Sequence, residues 1–254
     1  MRTALAIAAA VAVSVMPASI EGQQATGSIP RTSDGRPDFS GFWQVIGTAA
    51  WNLEPHAAQP GVPAGLGVVD GDRIPYKEPA LARRNQNYVD RATLDPNAKC
   101  YLPGVPRVMF MPFPFQIVQT PSLIVFLFEY VHAIRNVFMN SVHPKGPIEW
   151  WMGDSRGRWD GDTLIVDVIH FNGDTWLDGA GNFHSEQMHL VERYTPMGSE
   201  HIGYQGTIED PEVFTRPWTI SAVLYRIEQS NFRLLEYECY AFDGTEIYKP
   251  LHAR

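Results

Sequence analysis

Cysteine is scarce in this sequence, since its 254 residues include only Cys100 and Cys239. An all-thiolate zinc site needs four thiolates, so two cysteines exclude a site of that kind. They leave two interpretations, a single disulfide or two unpaired thiols. An even number of cysteines in an oxidising compartment favours the disulfide, which would close a loop of about 140 residues.

Blocks of basic residues are also missing. The chain has 20 Lys and Arg against 28 Asp and Glu, which gives a formal net charge of −8. An acidic surface repels a phosphate backbone, so we expect no nucleic acid partner. The glycine-rich phosphate loops of dinucleotide and nucleotide sites are absent, and we predict no cofactor. We also predict no hydrolase of the nucleophile-elbow type.

No apolar run reaches the roughly 20 residues that a membrane-spanning helix needs. The longest, Ala4–Met16, has 13 residues, follows Arg2 and precedes Pro-Ala-Ser. That pattern predicts a secretory signal peptide over residues 1–24, and an N-terminal membrane anchor is the alternative. Cleavage would leave a periplasmic or secreted protein without a membrane span.

Helical patterns are rare as well, because only residues 78–91 combine helix formers with a proline in the first turn. Five prolines over 96–114 exclude a regular helix or a central strand there. Asp160-Gly161 predicts a tight hairpin of type I′, and Asp243-Gly244 predicts another that leads into 246–248. β-branched and aromatic residues predict strands at 115–119, 123–130, 132–139, 148–152, 163–171, 188–195, 201–208, 218–228 and 234–241.

The spacing of these strands predicts a mainly β protein with one short helix. Sequential strands joined by tight turns are typical of an antiparallel meander, closed as a barrel or split into a β-sandwich. Residues 25–37 are polar and rich in Gly, Pro and Ser, which predicts a flexible lead-in. We therefore expect a single β-rich domain over 38–254.

Gly41-Phe42-Trp43 resembles the Gly-x-Trp opening of lipocalin-like barrels. That resemblance implies a barrel whose first-strand Trp closes one end and whose interior binds a small lipophilic molecule. Longer motifs resemble a group of exported bacterial proteins of uncharacterised activity, abundant in acidobacteria. These motifs are residues 98–107, 151–164, 184–186, 191–194 and 209–211. The second resemblance implies export and architecture, and no chemistry.

Histidine and aspartate supply the catalytic candidates. His184 and His189 lie five positions apart, so an extended strand directs them to opposite faces and they share a metal only across a bulge or turn. We therefore predict no metal site and an acid–base role for one of them or for His132. Asp167 interrupts an apolar strand, where a carboxylate must be solvated, paired or shifted in pKa. Asp174 lies in a Gly-flanked loop, and either aspartate would orient the histidine.

Aromatic residues supply the predicted ligand contacts. Over residues 123–139 the even positions are mostly aromatic and include His132, whereas the odd positions carry Glu129 and Arg135. If the aromatic face points inward, His132 lies in an apolar pocket as a base or as an anchor for a ligand hydroxyl. Ordinary core packing is the alternative. The predicted ligand-binding residues are Trp43, Phe128, Tyr130, Trp151, Trp176 and Arg135.

These features predict an exported, cofactor-independent enzyme, a lyase, isomerase or hydrolase. Its substrate would be a small hydrophobic molecule, aromatic or terpenoid-like, and this molecule is the only partner predicted. The alternative is a lipocalin-like protein that binds or carries such a molecule without chemistry.

Overall fold

The computed structural model describes residues 28–59, 62–237 and 239. The predicted signal peptide at 1–24 and the hairpin at Asp243-Gly244 lie outside the described residues. Within them the chain forms one α-helix, α1, at Glu78–Leu94. The strands are β1 Gly41–Val45, β2 Phe115–Gln119, β3 Leu123–Phe128, β4 Ile134–Met139, β5 Asp154–Asp160, β6 Thr163–Ile169, β7 His189–Pro196, β8 His201–Glu209 and β9 Trp218–Arg226.

These nine strands close into a barrel in chain order, because β9 pairs with β1. The prediction of a lipocalin-like barrel with one short helix is confirmed, and the β-sandwich alternative is not adopted. All neighbours are antiparallel except β4 and β5, which run parallel. An odd number of strands cannot alternate direction all the way around a ring, so one parallel pair completes the closure.

The parallel pair explains where a predicted strand is missing. Parallel neighbours need a crossover connection of about a dozen residues or more, and residues 140–153 supply it. The predicted strand at 148–152 lies inside this crossover, where only Trp150 forms an isolated bridge, to Phe171. The next strand begins instead at Asp154.

Alternating side chains fill the barrel interior. Phe115, Phe126 and Phe128 pack with ring centroids 5.3 to 6.2 Å apart. A 3-10 turn at Arg107–Phe110 inserts buried apolar side chains, and Met109 Sδ lies 3.7 Å from the Tyr194 hydroxyl. Side chains therefore fill the centre of the barrel, whereas the lipocalin-like resemblance implied an interior that binds a small lipophilic molecule.

Trp43 is held at the barrel wall where β1 meets β9. Its indole N–H donates to the Phe39 carbonyl at 2.8 Å, and the Arg226 guanidinium lies 4.2 Å from its ring centroid. Gly41 has φ +133°, and a Cβ there would come 2.5 Å from Arg226 Nη1. Glycine at this position therefore gives the Trp–Arg pair the space it needs.

The hairpin between β5 and β6 is confirmed, with a different turn. The two loop residues are Gly161 and Asp162, since Asp160 pairs with Thr163. Of these two, only Gly161 has positive φ, at +59°, which fits a type II′ turn and not type I′. Arg31 donates to both carboxylate oxygens of Asp162 at 2.7 and 2.8 Å, so the described part of the lead-in rests on this hairpin.

The chain after β9 crosses the outside of the barrel without forming a strand in its described part, so the strand predicted at 234–241 is not found at 234–237. The backbone N–H of Leu235 donates to Oε2 of buried Glu129 at 2.7 Å. A disulfide joins Cys100 to Cys239, as predicted. Among the described helices, none combines the length and apolar character needed to cross a bilayer.

Candidate functional site

An aspartate–histidine dyad lies on the outer wall of the barrel, where β6 and β7 pair. Asp167 is the cross-strand partner of Val191, two residues from His189, so Asp167 and His189 are diagonal neighbours on one face. Nε2 of His189 lies 3.0 Å from Oδ2 of Asp167. No described residue bonds the other ring nitrogen, Nδ1, and the side chain is 40% exposed. His189 therefore offers Nδ1 to a bound molecule.

His143, in the crossover between β4 and β5, ties the dyad to a second carboxylate. Its Nε2 lies 2.9 Å from Oδ1 of Asp167, and its Nδ1 lies 2.6 Å from Oδ2 of Asp154. Asp154 also accepts two bonds from Arg156, at 2.6 and 2.7 Å. A continuous chain of hydrogen bonds therefore runs from His189 through Asp167, His143 and Asp154 to Arg156.

These bonds shift the pKa values of the dyad. The bond to Asp167 raises the pKa of His189 above 6.5, and the bond from His189 lowers the pKa of Asp167. Burial opposes ionisation of Asp154, but the hydrogen bonds from Arg156 and His143 outweigh it and lower the pKa. Asp167 is therefore ionised at neutral pH, and His189 is a stronger base than a free histidine.

His189 opens onto a cleft of about 290 Å³, which we call the dyad cleft. Its polar part consists of the two histidines, His170 and His189, the carboxylates of Glu149 and Glu186, and the amide of Gln187. Histidine and carboxylate side chains are common general acids and bases in enzymes. The rest of the lining is apolar and consists of Pro147, Ile148, Ile169, Phe171 and Met188.

A second and larger cleft, the aromatic cleft, has a volume of about 560 Å³ and shares Glu149 with the dyad cleft. It lies beside the first half of β4, because β4 and β5 pair over only three residues and leave Ile134–Asn136 without a partner on that side. Its apolar lining includes Leu102, Ile134, Phe138, Trp150, Trp151 and Met152. Its volume falls in the range of about 300–1,000 Å³ that small-molecule sites occupy.

The inner side of the aromatic cleft is formed by Arg135, which reaches into the barrel and is only 2% exposed. Its Nε donates to Ser155 Oγ at 3.0 Å, and its two terminal nitrogens donate to the carboxylate of Glu192. The Tyr194 and Tyr204 hydroxyls donate to Oε1 of Glu192 at 3.1 and 2.9 Å. Burial alone would lower the pKa of Arg135, but Glu192 outweighs it and raises the pKa. Arg135 is thus committed to this buried cluster.

We predicted no nucleophile elbow, yet Ser155 belongs to one Gly-x-Ser-x-Gly match in the sequence, Gly153 to Gly157. A nucleophile elbow places its serine on an exposed strand-to-helix turn. Ser155 lies instead inside strand β5, is 1% exposed, and accepts a bond from Arg135. The match therefore does not create a nucleophile elbow here.

His184, a predicted acid–base residue, is a core residue with both nitrogens occupied. It is 1% exposed, its Nδ1–H donates to the Ser185 carbonyl at 2.9 Å, and its Nε2 accepts from the Thr175 hydroxyl at 2.6 Å. Burial lowers its pKa, so the neutral ring is favoured. Neither the dyad cleft nor the aromatic cleft reaches this side chain, and its place in the structure favours a structural role.

The expectation that His132 lies in an apolar pocket is wrong, because His132 is exposed. Positive φ angles at Val131 and His132, in the turn between β3 and β4, shift the inward-facing positions from even to odd numbers. Asp174 is exposed too, and its backbone N–H donates to the Asn172 side chain. No described hydrogen bond joins Asp174 to His184 or to His132.

The six predicted ligand contacts separate into three groups. Trp151 and Arg135 line the aromatic cleft. Trp43, Phe128 and Trp176 are buried core residues. Tyr130 belongs to a separate small cluster outside the barrel core, with Ala50 and Met111.

Sequence reasoning missed His143, His170 and Glu149. His143 and Glu149 lie in the crossover and His170 lies just after β6, and no catalytic motif includes any of the three. His143 meets Asp154 and Asp167 only because the crossover returns along the outer wall. Two residues of the sequence analysis pointed here, namely Asp167, a carboxylate inside an apolar strand, and His189, a titratable side chain.

Within residues 28–59, 62–237 and 239, no group of three or more His, Cys, Asp or Glu side chains is arranged to hold a metal ion. The side chains of His143 and His189 instead form hydrogen bonds directly with the carboxylates of Asp154 and Asp167. No protein-family model, no curated protein and no solved structure matches this chain.

Proposed function

We propose that this protein is an acid–base enzyme that moves a proton on a small, largely apolar molecule, with its own side chains as acid and base. The observation that carries the proposal is the His189–Asp167 dyad, in which His189 lines a cleft and its Nδ1 has no hydrogen-bond partner among the described residues. An aspartate that holds one nitrogen of a histidine fixes the ring and favours the imidazolium that forms when the other nitrogen takes a proton. The reactions this supports are those of lyases, isomerases and hydrolases.

The substrate class follows from the aromatic cleft next to the dyad cleft. Ile134, Phe138 and Trp150 are 59%, 42% and 37% exposed, which is unusual for large apolar side chains grouped in one place. An aromatic or terpenoid-like molecule would cover this surface and bring a polar end towards Glu149, the residue that both clefts share. His189 would act as general base, and Asp167 would position it.

The test begins with mass spectrometry of compounds retained by the purified protein, followed by turnover assays on that compound class. His189→Gln should lower kcat by about 10²- to 10⁴-fold, the usual contribution of a general acid or base. Trp151→Leu should raise KM more than it lowers kcat, because Trp151 lines the aromatic cleft without touching the dyad.

His132→Gln is the matched control, since His132 is an exposed histidine away from both clefts. It should leave kcat and KM unchanged. The rate should also rise with pH as His189 loses its proton, with an apparent pKa above 6.5, and this limb should disappear in His189→Gln. Wild-type turnover by His189→Gln would refute the assignment.

A non-catalytic binding protein is the second candidate, favoured by the aromatic cleft itself. In that case a retained compound would bind, Trp151→Leu would weaken binding, and His189→Gln would have no effect on the compound's chemical form. Export to the periplasm or the exterior is part of both proposals, and the Cys100–Cys239 disulfide supports it.

A further inference from the structure

The first half of β4 forms an open sheet edge that lines the aromatic cleft. β4 pairs with β5 only over residues 137–139, whereas its pairing with β3 reaches back to Ile134. The chain before β5 leaves this edge at Gly153, where φ is +65° and the N–H donates to the Trp150 carbonyl at 3.3 Å. Residues 134–136 therefore line the cleft with no described strand beside them on that side.

The hydrogen bonds at the two ends of β4 show which backbone groups face this edge. The Ala133 carbonyl accepts from the Phe128 N–H at 2.9 Å, and at the other end the Asn140 N–H donates to the Gly157 carbonyl of β5 at 2.8 Å. In an antiparallel pair, successive residues alternate between bonding their partner strand and pointing away from it. The odd-numbered residues of β4 therefore bond β3, and the even-numbered residues direct their N–H and C=O groups towards β5 and the cleft.

Three of the groups directed this way have no partner in the barrel. In the parallel pair the Asn136 carbonyl faces the Ser155 N–H, which leaves the Asn136 N–H and both backbone groups of Ile134. No described residue outside the strands forms a backbone hydrogen bond with any of the three. Unpaired groups along a strand edge are a template for a further extended chain, which would donate an N–H to the Ile134 carbonyl and accept from the Asn136 N–H.

The side chains around this edge suit apolar residues of such a chain. Ile134 and Phe138 lie on the outward face of β4 and are 59% and 42% exposed. Trp150, Trp151 and Met152 line the same cleft. In strand addition the backbone bonds hold the peptide and pockets for its side chains select the sequence, so aromatic and aliphatic side chains are favoured here.

The charges of the cleft favour a positive group on the peptide. Arg135 and Arg156 are neutralised by the carboxylates of Glu192 and Asp154. Glu149 is exposed and forms no ion pair with a described residue, so it is the remaining charge of the lining. We propose that the aromatic cleft binds a short apolar peptide as an added strand on β4, with its amino terminus towards Glu149, which rests on the proposed use of this cleft to hold the substrate.

Isothermal titration calorimetry of the full, disulfide-intact chain with Leu-Phe-Leu amide tests the proposal. Two derivatives carry one N-methyl group each, on the second or on the third residue. Successive N–H groups of an extended strand point to opposite sides, so only one of the two can face Ile134. One derivative should bind at least about 10-fold more weakly than the parent peptide, and the other should bind as the parent does. No binding of the parent, or equal affinity of the two derivatives, would overturn the proposal.

Amide hydrogen exchange followed by NMR locates the bound peptide. With saturating Leu-Phe-Leu amide, the Asn136 N–H should exchange at least about 10-fold more slowly, because it gains a hydrogen bond. The Asn140 N–H is the internal control, since it already bonds Gly157, and its exchange should not change. Unchanged exchange at Asn136 would show that the peptide does not pair with this edge.

Acetylation of the peptide's amino terminus tests the position of its charge. It should weaken binding to wild type by about 2- to 5-fold, the range of an exposed ion pair. In Glu149→Gln the free and the acetylated peptide should bind alike, whereas Glu186→Gln, which changes a carboxylate of the dyad cleft alone, should keep the difference. A difference that persists in Glu149→Gln would contradict the placement of the amino terminus.

These binding measurements separate the ligand class from the acid–base function. Peptide binding with the expected N-methyl pattern, but without turnover of any compound, would support the peptide site and count against the enzyme. Turnover of a terpenoid-like compound that depends on His189, together with equal binding of the two N-methyl derivatives, would support the enzyme and refute the peptide site.

Discussion

The buried pair of Arg135 and Glu192 makes a strong prediction about stability. Glu192 is 0% exposed and Arg135 is 2% exposed, so removing one partner leaves the other charge in the barrel core without compensation. Breaking a buried ion pair in this way typically costs about 3–5 kcal/mol. We expect Arg135→Met and Glu192→Gln each to lower the free energy of unfolding by about that amount.

The double variant should be much less damaging than the sum of the two single variants. With both charges gone, the Gln amide oxygen can still accept from the Tyr194 and Tyr204 hydroxyls that now bond Glu192. Replacing a buried ion pair by neutral groups is often close to neutral in stability. We therefore expect a coupling energy of at least about 2 kcal/mol, at the upper part of the range for residues in contact.

Urea unfolding followed by tryptophan fluorescence measures all four proteins, and an unchanged m value shows that the comparison is valid. The exposed pair of Arg31 and Asp162 provides the control, and neutralising it should move the unfolding midpoint far less. If the double variant costs the sum of the single variants within about 0.5 kcal/mol, the two charges do not compensate each other and the reasoning fails.

Two further predictions concern the disulfide and the dyad. Replacing Cys100 and Cys239 by serine opens a loop with a sequence separation of 139 residues, and should lower the free energy of unfolding in urea by about 4–5 kcal/mol in the chain-entropy model. An unchanged urea midpoint would contradict it. Folding lowers the pKa of Asp167, so its bond to His189 contributes full stability only above the unfolded pKa of Asp167, 3.8. Folding raises the pKa of His189, so the same bond contributes full stability only below the unfolded pKa of His189, 6.5. The destabilisation caused by His189→Gln should therefore be largest between about pH 4 and 6.5, and it should shrink as the pH rises through the raised pKa of His189. If the difference in unfolding free energy between wild type and His189→Gln does not change with pH, this prediction is wrong.

The strands were predictable wherever local chemistry sets their limits. Pro114 ends an irregular segment and β2 begins at the next residue, and the Asp160-Gly161 pair located the hairpin. The choice between barrel and sandwich depends on whether β9 meets β1, and side-chain alternation is the same in both. The inward face of β4 was assigned wrongly because positive φ at Val131 and His132 changes the phase of the alternation, and neither residue type indicates it.

The candidate site was only partly predictable for a similar reason. Asp167 attracted attention because a carboxylate inside an apolar strand needs a partner, and His189 did so as a titratable residue. Their pairing depends on the register between β6 and β7, which places Asp167 opposite Val191. His143 approaches from a segment with no local pattern, so its two bonds to Asp154 and Asp167 follow from tertiary structure alone.

The site can be traced to the number of strands. Nine strands close a ring only with a parallel pair, and a parallel pair requires a long crossover between β4 and β5. That crossover carries His143 back along the outer wall, where it joins Asp154 to Asp167. The short pairing of β4 with β5 also leaves the gap that the aromatic cleft occupies. An even-stranded antiparallel meander would need no such crossover, and would lack both the bridging histidine and the cleft beside it.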